Sequence, residues 1–245
     1  SASVICFGLM IFSQAAASDL SPWAEANTKY QSGDFKGALA AYENVSQSAK
    51  ETAALDYNLG NVHFRLGHKG KALLFYERAL RIRPRDPDIL WNIDILKSAV
   101  ADRIESPSES LIVTWVRTIV DRLTINEISM ILSGLLLVST AIAGLTFIFP
   151  MLKPVGRGLG ILILLLFLPA SVLFGFKWLD VKDPHVVILD REIHARYGPS
   201  DRETKAFTLH EGAEAKVADE SKDWFYITLP DKNSGWVPKK SCEII

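Results

Sequence analysis

The sequence predicts a multidomain membrane protein built, in order, from all-α helical hairpins, two transmembrane helices and a small all-β barrel. Three observations predict this fold class. A pattern recurs every 34 residues within residues 18–105, two uncharged apolar runs occupy residues 128–149 and 158–176, and short alternating apolar segments fill residues 181–245. A period of this length indicates stacked helical units. Each run is long enough to cross a bilayer, and alternation indicates strands.

The repeat region carries similar residue types at positions 34 apart. Trp23, Tyr57 and Trp91 are in phase, and further matched pairs are Asn27 and Asn61, Tyr30 and Phe64, Gly33 and Gly67, Ala38 and Ala72, and Tyr42 and Tyr76. Units of this kind cannot bury their apolar faces alone, so they stack, and such stacks usually hold another protein. Helices are expected at about residues 22–31, 35–48, 52–66, 70–82 and 88–103.

The second unit closely matches a known repeat signature. Its signature residues are Leu59, Gly60, Gly67, Ala72, Tyr76, Ala79 and Pro84. This pattern resembles the tetratricopeptide repeat, although Asp56 and His63 stand where aromatic residues are usual. The first unit matches less well, and the last helix is similar to a capping helix that keeps Trp91 in phase. The resemblance implies tetratricopeptide helical hairpins over residues 18–105.

In that family the first helix of each unit lines a concave, peptide-binding side. The residues in phase there are Trp23, Asn27, Tyr30, Tyr57, Asn61, Phe64, Arg65 and Trp91. The asparagines can offer amides to a peptide backbone, and the aromatic rings supply apolar area. The alternative role of Tyr30 and Phe64 is packing between helices.

Three features place the chain at a membrane. Residues 4–12 are apolar and precede Ala15, Ala16 and Ala17, which predicts a signal peptide over residues 1–17 whose start is truncated; an uncleaved anchor is the alternative. The predicted transmembrane helices, 128–149 and 158–176, lie within a segment 126–179, and a buried helix pair of a soluble protein is the alternative. Lys and Arg counts do not favour a cytoplasmic loop between them, but the signal predicts that both domains face the periplasm of a bacterial inner membrane.

Residues 106–125 are predicted to form a linker and an interfacial amphipathic helix. The apolar positions 111, 112, 115, 116, 119, 120 and 123 share one helical face, and Trp115 suits the headgroup layer. The alternative is a helix that packs against the repeats.

After residue 181 the sequence predicts five short strands, at 186–188, 207–209, 215–217, 224–229 and 242–245. The Glu211-Gly212 pair, Asp223-Trp224 and the segment from Gly235 to Pro238 together resemble the bacterial SH3 domain, which implies an SH3-like small barrel. Its candidate ligand surface is formed by the aromatic residues Tyr197, Trp224, Tyr226 and Trp236.

Several kinds of chemistry are not expected. A net charge of −1 gives no basic excess for nucleic acid. Cys6 and Cys242 are not expected to pair, and Cys242 is expected to be a buried strand residue. His63 and His68 are five positions apart, off a shared helix face, so no metal site is predicted. With no phosphate loop or catalytic constellation, we expect no cofactor and no enzymatic activity.

Arginine is concentrated near the end of the fourth predicted helix. Arg78, Arg81, Arg83 and Arg85 are expected to be solvated there, where the negative pole of the helix favours cations; an anion-binding site is the alternative.

The order of the segments is more specific than any one of them. A signal, tetratricopeptide repeats, two adjacent spans and a C-terminal SH3-like domain resemble the BatE family of bacterial aerotolerance-operon proteins. The resemblance implies von Willebrand A-type membrane proteins as partners and, indirectly, a MoxR-type AAA+ ATPase. It favours a membrane-anchored scaffold that binds protein partners of an envelope complex. The alternative is a protein that binds or senses peptidoglycan through its SH3-like domain.

Overall fold

The computed structural model describes residues 21–48, 52–100, 102 and 110–245. The predicted signal peptide, 1–17, and most of the predicted linker lie outside the described residues, so both stay predictions.

Five helices form the repeat region that the structure describes. They are α1 (Pro22–Gln31), α2 (Phe35–Ser48), α3 (Ala53–Arg65), α4 (Lys69–Ile82) and α5 (Pro87–Ala99). The side chains of Ser21, Thr52 and Asp86 accept from the first-turn amides of α1, α3 and α5, which satisfies donors that have no partner within the helix. Gly33 and Gly67 have φ values of 83° and 82°, so they end α1 and α3 in a conformation that glycine adopts without strain. The expected helix ends are confirmed within a few residues, except that α5 stops at Ala99 because Val100 is extended.

The hairpins pack through small and aromatic residues. Tyr42 and Tyr76, at equivalent positions of α2 and α4, are both buried. A Cβ added at Gly60 would lie 2.6 Å from the Tyr76 ring, so only glycine lets α3 and α4 approach this closely. The core of the first hairpin also takes Leu55, Leu59 and Val62 from α3, which joins the two repeats.

Three helices follow the repeats: α6 (Leu111–Arg122), α7 (Ile125–Ile148) and α8 (Lys153–Lys182). Thr124 and Glu127 form a capping box at the start of α7. Both α7 and α8 are long and apolar enough to cross a membrane, and their apolar stretches are not buried inside the protein. A buried helix pair, the alternative weighed from the sequence, would be covered by other parts of the chain. Helix α8 continues through Pro169 and beyond the predicted span at both ends.

The two halves of α6 have different environments. Val120 is buried and α6 contacts α8, whereas Leu111 and Trp115 are largely exposed. Arg85, in the turn between α4 and α5, donates to the carbonyl of Arg122, which brings the end of α6 to the repeats. The helix therefore has features of both alternatives, and its location at a membrane surface stays a prediction.

The C-terminal region is an antiparallel sheet of seven strands. They are β1 (His185–Ile188), β2 (Glu192–Arg196), β3 (Lys205–His210), β4 (Glu214–Ser221), β5 (Trp224–Thr228), β6 (Ser234–Pro238) and β7 (Cys242–Ile244), in the spatial order β3-β2-β6-β5-β4-β1-β7. Every strand contributes to one buried core, so the sheet wraps around a single interior. The prediction of five strands was wrong because β2 and β6 were missed. Strand β2 has a single residue with strong strand preference, Ile193, and Gly235 and Pro238 disfavour β6.

The sheet packs directly on the repeats. Strand β1 is buried on both faces, because Val186 and Ile188 enter the sheet core while Val187 enters the core between α4 and α5. Leu189 and Ile245 pack against that helical core as well. The two domains therefore share buried apolar surface.

Polar contacts reinforce this interface. The Gly70 amide donates to Glu211 at 2.8 Å. Arg78 pairs with Glu243 at 2.8 Å and donates to the carbonyl of Ile244, and Arg81 donates to the carbonyl of Ile245. The expectation that the arginine cluster is merely solvated was wrong for these two residues. It was also wrong for Arg85, which pairs with Glu127 of α7. Sequence spacing could not show what lies opposite the helix end.

Candidate functional site

Two asparagine–tyrosine pairs recur on α1 and α3. Tyr42 donates to Asn27 Oδ1 at 2.5 Å, and Tyr76 donates to Asn61 Oδ1 at 2.7 Å. Burial raises the pKa of both tyrosines above the usual value of 10.0, so their hydroxyls stay protonated as donors. Each asparagine oxygen is therefore occupied. No described residue accepts a hydrogen bond from either Asn27 or Asn61 Nδ2, so both amides remain able to donate to a ligand.

Helix α5 continues this surface. Asn92 Nδ2 lies 3.3 Å from Tyr57 Oη and 3.4 Å from Asn61 Oδ1. These bonds align α3 with α5. The predicted groove residues on α1, α3 and α5 therefore lie on three successive first helices.

Three predicted groove aromatics also pack between helices. Trp23 meets Tyr42 edge-on with ring centres 5.8 Å apart, and Tyr57 lies 5.8 Å from Tyr76. Tyr30 meets Phe35 at 5.5 Å. All three rings are half-buried. The packing role weighed for Tyr30 is thus present, and Trp23 and Tyr57 share it.

The remaining candidates are more accessible. Phe64 is 44% exposed and Trp91 is 66% exposed, so both rings can meet a ligand. The Arg65 guanidinium lies over the Phe35 ring, 5.0 Å from its centre, which fixes this cation beside the groove. Packing between helices is therefore a minor role for Phe64.

The histidine prediction needs correction. His63 and His68 were placed on separate faces, yet their Nδ1 atoms are 3.3 Å apart, because the chain reverses at Gly67. His63 is buried and stacked on Phe75. Burial, with Lys71 and His68 nearby, lowers the pKa of His63 to about 4, so it is neutral and serves as a core aromatic. Among the described residues, no group of three or more metal-ligating side chains comes together.

The predicted surface on the sheet is partly assembled. Trp224, Tyr226 and Trp236 point to the outer face, and the rings of Tyr226 and Trp236 lie 5.1 Å apart. The Tyr226 hydroxyl is 2.8 Å from Ser234 Oγ, which fixes the ring. Tyr197 follows β2 and is 71% exposed.

Cys242 lies buried in β7, as the sequence predicted. Burial and the charge of Asp190 raise the pKa of its thiol to about 12. A thiol in this state is a poor nucleophile.

The sequence reasoning missed the partners that orient the groove. Tyr42 and Tyr76 each lie 15 positions after the asparagine they bind, and this offset recurs with the 34-residue period. That doubled spacing was a signal that could have identified the pairs. Asn92 has no such doubled signal: it matches Asn58 but not Ala24, and the residue 15 positions after it is Pro107.

Comparisons with known proteins agree with the helical region. No curated protein matches the chain. The family model described as tetratricopeptide repeat matches residues 24–87, which include most of α1 and all of α2 to α4. The chain therefore contains tetratricopeptide repeats.

Proposed function

We propose that this chain is a membrane-anchored adaptor whose repeats hold a segment of a protein partner. The observation that carries the proposal is the repeated asparagine–tyrosine pair, which leaves two amide donors oriented one repeat apart beside Phe64 and Trp91. Amides can bind the backbone of an extended peptide, while exposed rings take its apolar side chains. No step of this role requires catalysis, and the raised pKa of Cys242 is consistent with that.

The two apolar helices are proposed to anchor the adaptor. Two successive spans return the chain to the side from which it started, so the repeats and the sheet would share one side. Their direct contacts, such as Val187 in the helical core and Arg78 with Glu243, support this because they could not form across a bilayer. We place that side in the periplasm, with the anchor in the bacterial inner membrane, on the strength of the predicted signal peptide.

The partners proposed are those of the BatE family: von Willebrand A-type membrane proteins and, indirectly, a MoxR-type AAA+ ATPase. Support comes from the tetratricopeptide match and from the order of repeats, apolar helices and β-domain.

Photocrosslinking in intact cells tests the adaptor role. Phe64 is replaced by benzoylphenylalanine, which keeps an aromatic ring in the groove, and the matched control carries the same residue at Glu43, exposed on α2. We expect an envelope protein to be crosslinked from position 64 and not from position 43. Identical adducts from both positions, or none from position 64, would contradict the proposal.

A second function is favoured by the aromatic face of the sheet. Tyr226 and Trp236 form an adjacent, half-exposed pair of the kind that can stack on sugar rings, so peptidoglycan binding is the alternative. The test is sedimentation of the full chain, in detergent, with purified sacculi, compared with Trp236→Ala. Recovery of neither protein in the pellet would remove this alternative, and equal recovery of both would exclude the Tyr226 and Trp236 face as the binding site.

A further inference from the structure

Helix α5 has the position of a first helix in a third repeat, but among the described residues no ring takes the place on it that Tyr42 and Tyr76 take on α1 and α3. In the first unit Trp23 packs on Tyr42, and in the second Tyr57 packs on Tyr76. Each partner lies 19 positions later in the chain (42 − 23 and 76 − 57). The same offset from Trp91 leads to Ser110, which carries no ring and caps α6 by accepting from the Val113 amide. Trp91 is consequently far more exposed than the two rings in phase with it.

The position one turn after Trp91 is also apolar where the first two units have a hydrogen-bonded asparagine. Asn27 and Asn61 each accept from the tyrosine of a return helix, but the third equivalent residue is Ile95. Ile95 is 38% exposed and lies one turn after Trp91. An isoleucine needs no hydrogen-bond partner. This part of α5 therefore presents apolar surface where the earlier units present a polar contact that is already satisfied.

Acidic residues flank the apolar pair. Asp88 and Asp94 are both exposed. Asp88 lies one turn before Trp91, and Asp94 directly precedes Ile95. Within the described ranges no cation forms an ion pair with either carboxylate. We define the end face as Asp88, Trp91, Asp94, Ile95 and Ser98.

The β-domain does not cover the end face. It meets α5 through Lys97, which binds Glu214, and through Val100, which packs on Gly212. By helical geometry these residues lie on other sides of α5 from Trp91. Trp91 and Ile95 are exposed there, so within the part of the chain that the structure describes the end face is uncovered and continues the groove surface of α1 and α3.

We propose that the end face binds an amphipathic helix of a partner protein, with Lys or Arg beside its apolar stripe, in the place that α2 and α4 take on α1 and α3. This deepens the adaptor role and rests on it. The repeat predicts how the bound helix packs on α5, since α2 and α4 show how such a helix packs on α1 and α3. Asp88 and Asp94 favour a helix that carries Lys or Arg. A second copy of this chain fits poorly, because two end faces packed together would bring aspartates against aspartates.

The chain itself provides a matched pair of probes. Peptide 69–82 copies α4 with Ala72, Tyr76 and Ala79, and it carries four cations and one acid (4 − 1 = +3). Peptide 35–48 copies α2 with Ala38 and Tyr42, and it carries one cation and one acid (1 − 1 = 0). Both are acetylated and amidated to remove terminal charges. Binding to the full chain in detergent is measured by fluorescence anisotropy.

We expect peptide 69–82 to bind more tightly than peptide 35–48, with the difference shrinking at high salt. Trp91→Glu and Ile95→Glu should each weaken peptide 69–82 by about tenfold or more, since a buried tryptophan often dominates an interface. Both side chains are exposed, so the variants should keep the wild-type melting temperature. Asp88→Lys with Asp94→Lys should abolish the preference for the basic peptide.

Other outcomes overturn the inference in distinguishable ways. Ile95 belongs to the end face alone, so if Phe64→Glu abolishes binding while Ile95→Glu leaves it intact, the helix binds in the groove; the adaptor role survives and the end-face proposal fails. A wild-type dimer that Trp91→Glu converts to a monomer would show that a second copy covers this face. Binding of peptide 69–82 that is unaffected by both Trp91→Glu and Ile95→Glu would also reject the end-face proposal. Failure of the adaptor role itself is read from the crosslinking at position 64.

Discussion

At the scale of single residues, the groove depends on hydroxyls that hold asparagine amides in one orientation. The Tyr76 hydroxyl is bound to Asn61, and Asn61 also meets Asn92 of the next helix. Because burial raises the pKa of Tyr76, this donor does not ionise under ordinary conditions. A ligand therefore meets an amide that is already oriented, which lowers the entropy lost on binding.

Tyr76→Phe tests this bond. The variant removes the donor but keeps the ring, so we expect unfolding to cost about 1 kcal/mol less, together with weaker binding in the groove. Denaturant unfolding of the protein in detergent, followed by tryptophan fluorescence, measures the change. Tyr30→Phe is the control, since the Tyr30 hydroxyl has no hydrogen-bond partner among the described residues. Equal stability of Tyr76→Phe and wild type would show that the bond contributes nothing.

At the scale of elements, the spacing of α3 and α4 is set by the absence of a side chain at Gly60. The Tyr76 ring fills the space that a Cβ would need, and it is buried on all sides. The ring cannot move away without disturbing Asn61, so spacing and groove geometry are linked.

Gly60→Ala should therefore destabilise the repeats, although alanine favours helices. The added Cβ would lie 2.6 Å from the ring, and overpacking of this kind costs about 1–3 kcal/mol. Thermal unfolding monitored by circular dichroism gives the comparison. Gly134→Ala in α7 is the control, because nothing lies within 4 Å of a Cβ added there. A Gly60→Ala protein as stable as wild type would mean that α3 and α4 can separate freely.

At the scale of the whole molecule, the repeats and the sheet form one packed unit. Glu214 of β4 sits beside Lys97 and Glu77, and His210 of β3 pairs with Asp102 at 2.8 Å. Burial, followed by the charge of Glu77, raises the pKa of Glu214 to about 7 against the opposing effect of Lys97. The hydrogen bond to Asp102 raises the pKa of His210 above 6.5.

Because the pKa values of Glu214 and His210 are both raised, the interface between the repeats and the sheet becomes less stable as pH rises. Folded Glu214 keeps a proton that the unfolded chain releases, so stability falls between about pH 4.5 and about pH 7. The contribution of His210 is present below pH 6.5 and is lost as pH passes its raised value. We expect the protein to be less stable at pH 8 than at pH 5.5. Unfolding measured at both pH values should show a smaller difference in a Glu214→Gln, His210→Gln double variant. A larger difference in that variant would contradict the assignment.

Gly70→Ala tests the packing of the two domains. The added Cβ would lie 2.5 Å from the carbonyl oxygen of Ile188 in β1, so the interface has to open. We expect the free energy of unfolding to fall by about 1–3 kcal/mol. We also expect faster proteolysis of the chain, because the repeats and the sheet would separate more readily. Gly60→Ala serves for comparison, since it strains the repeats without touching β1. Unchanged protection of Gly70→Ala from protease would show that the contact is not tight.

Much of the architecture could be predicted from local patterns. The period located Asn27 and Asn61, the glycines located the breaks, and the uncharged runs located α7 and α8, because each signal depends on residues close in sequence. Strands β2 and β6 were missed because their burial depends on neighbours that the chain brings from elsewhere.

The sequence by itself determined the repeat type, the two apolar helices and the aromatic and amide residues available for binding, since periodicity and hydropathy are local. Only the tertiary structure decided that Arg78 meets the sheet, that Arg85 meets α7, and that Trp91 is left exposed. Those facts depend on which surfaces meet in space, because the contacts of Arg78 and Arg85 join residues 165 and 42 positions apart, and no local pattern records such pairings.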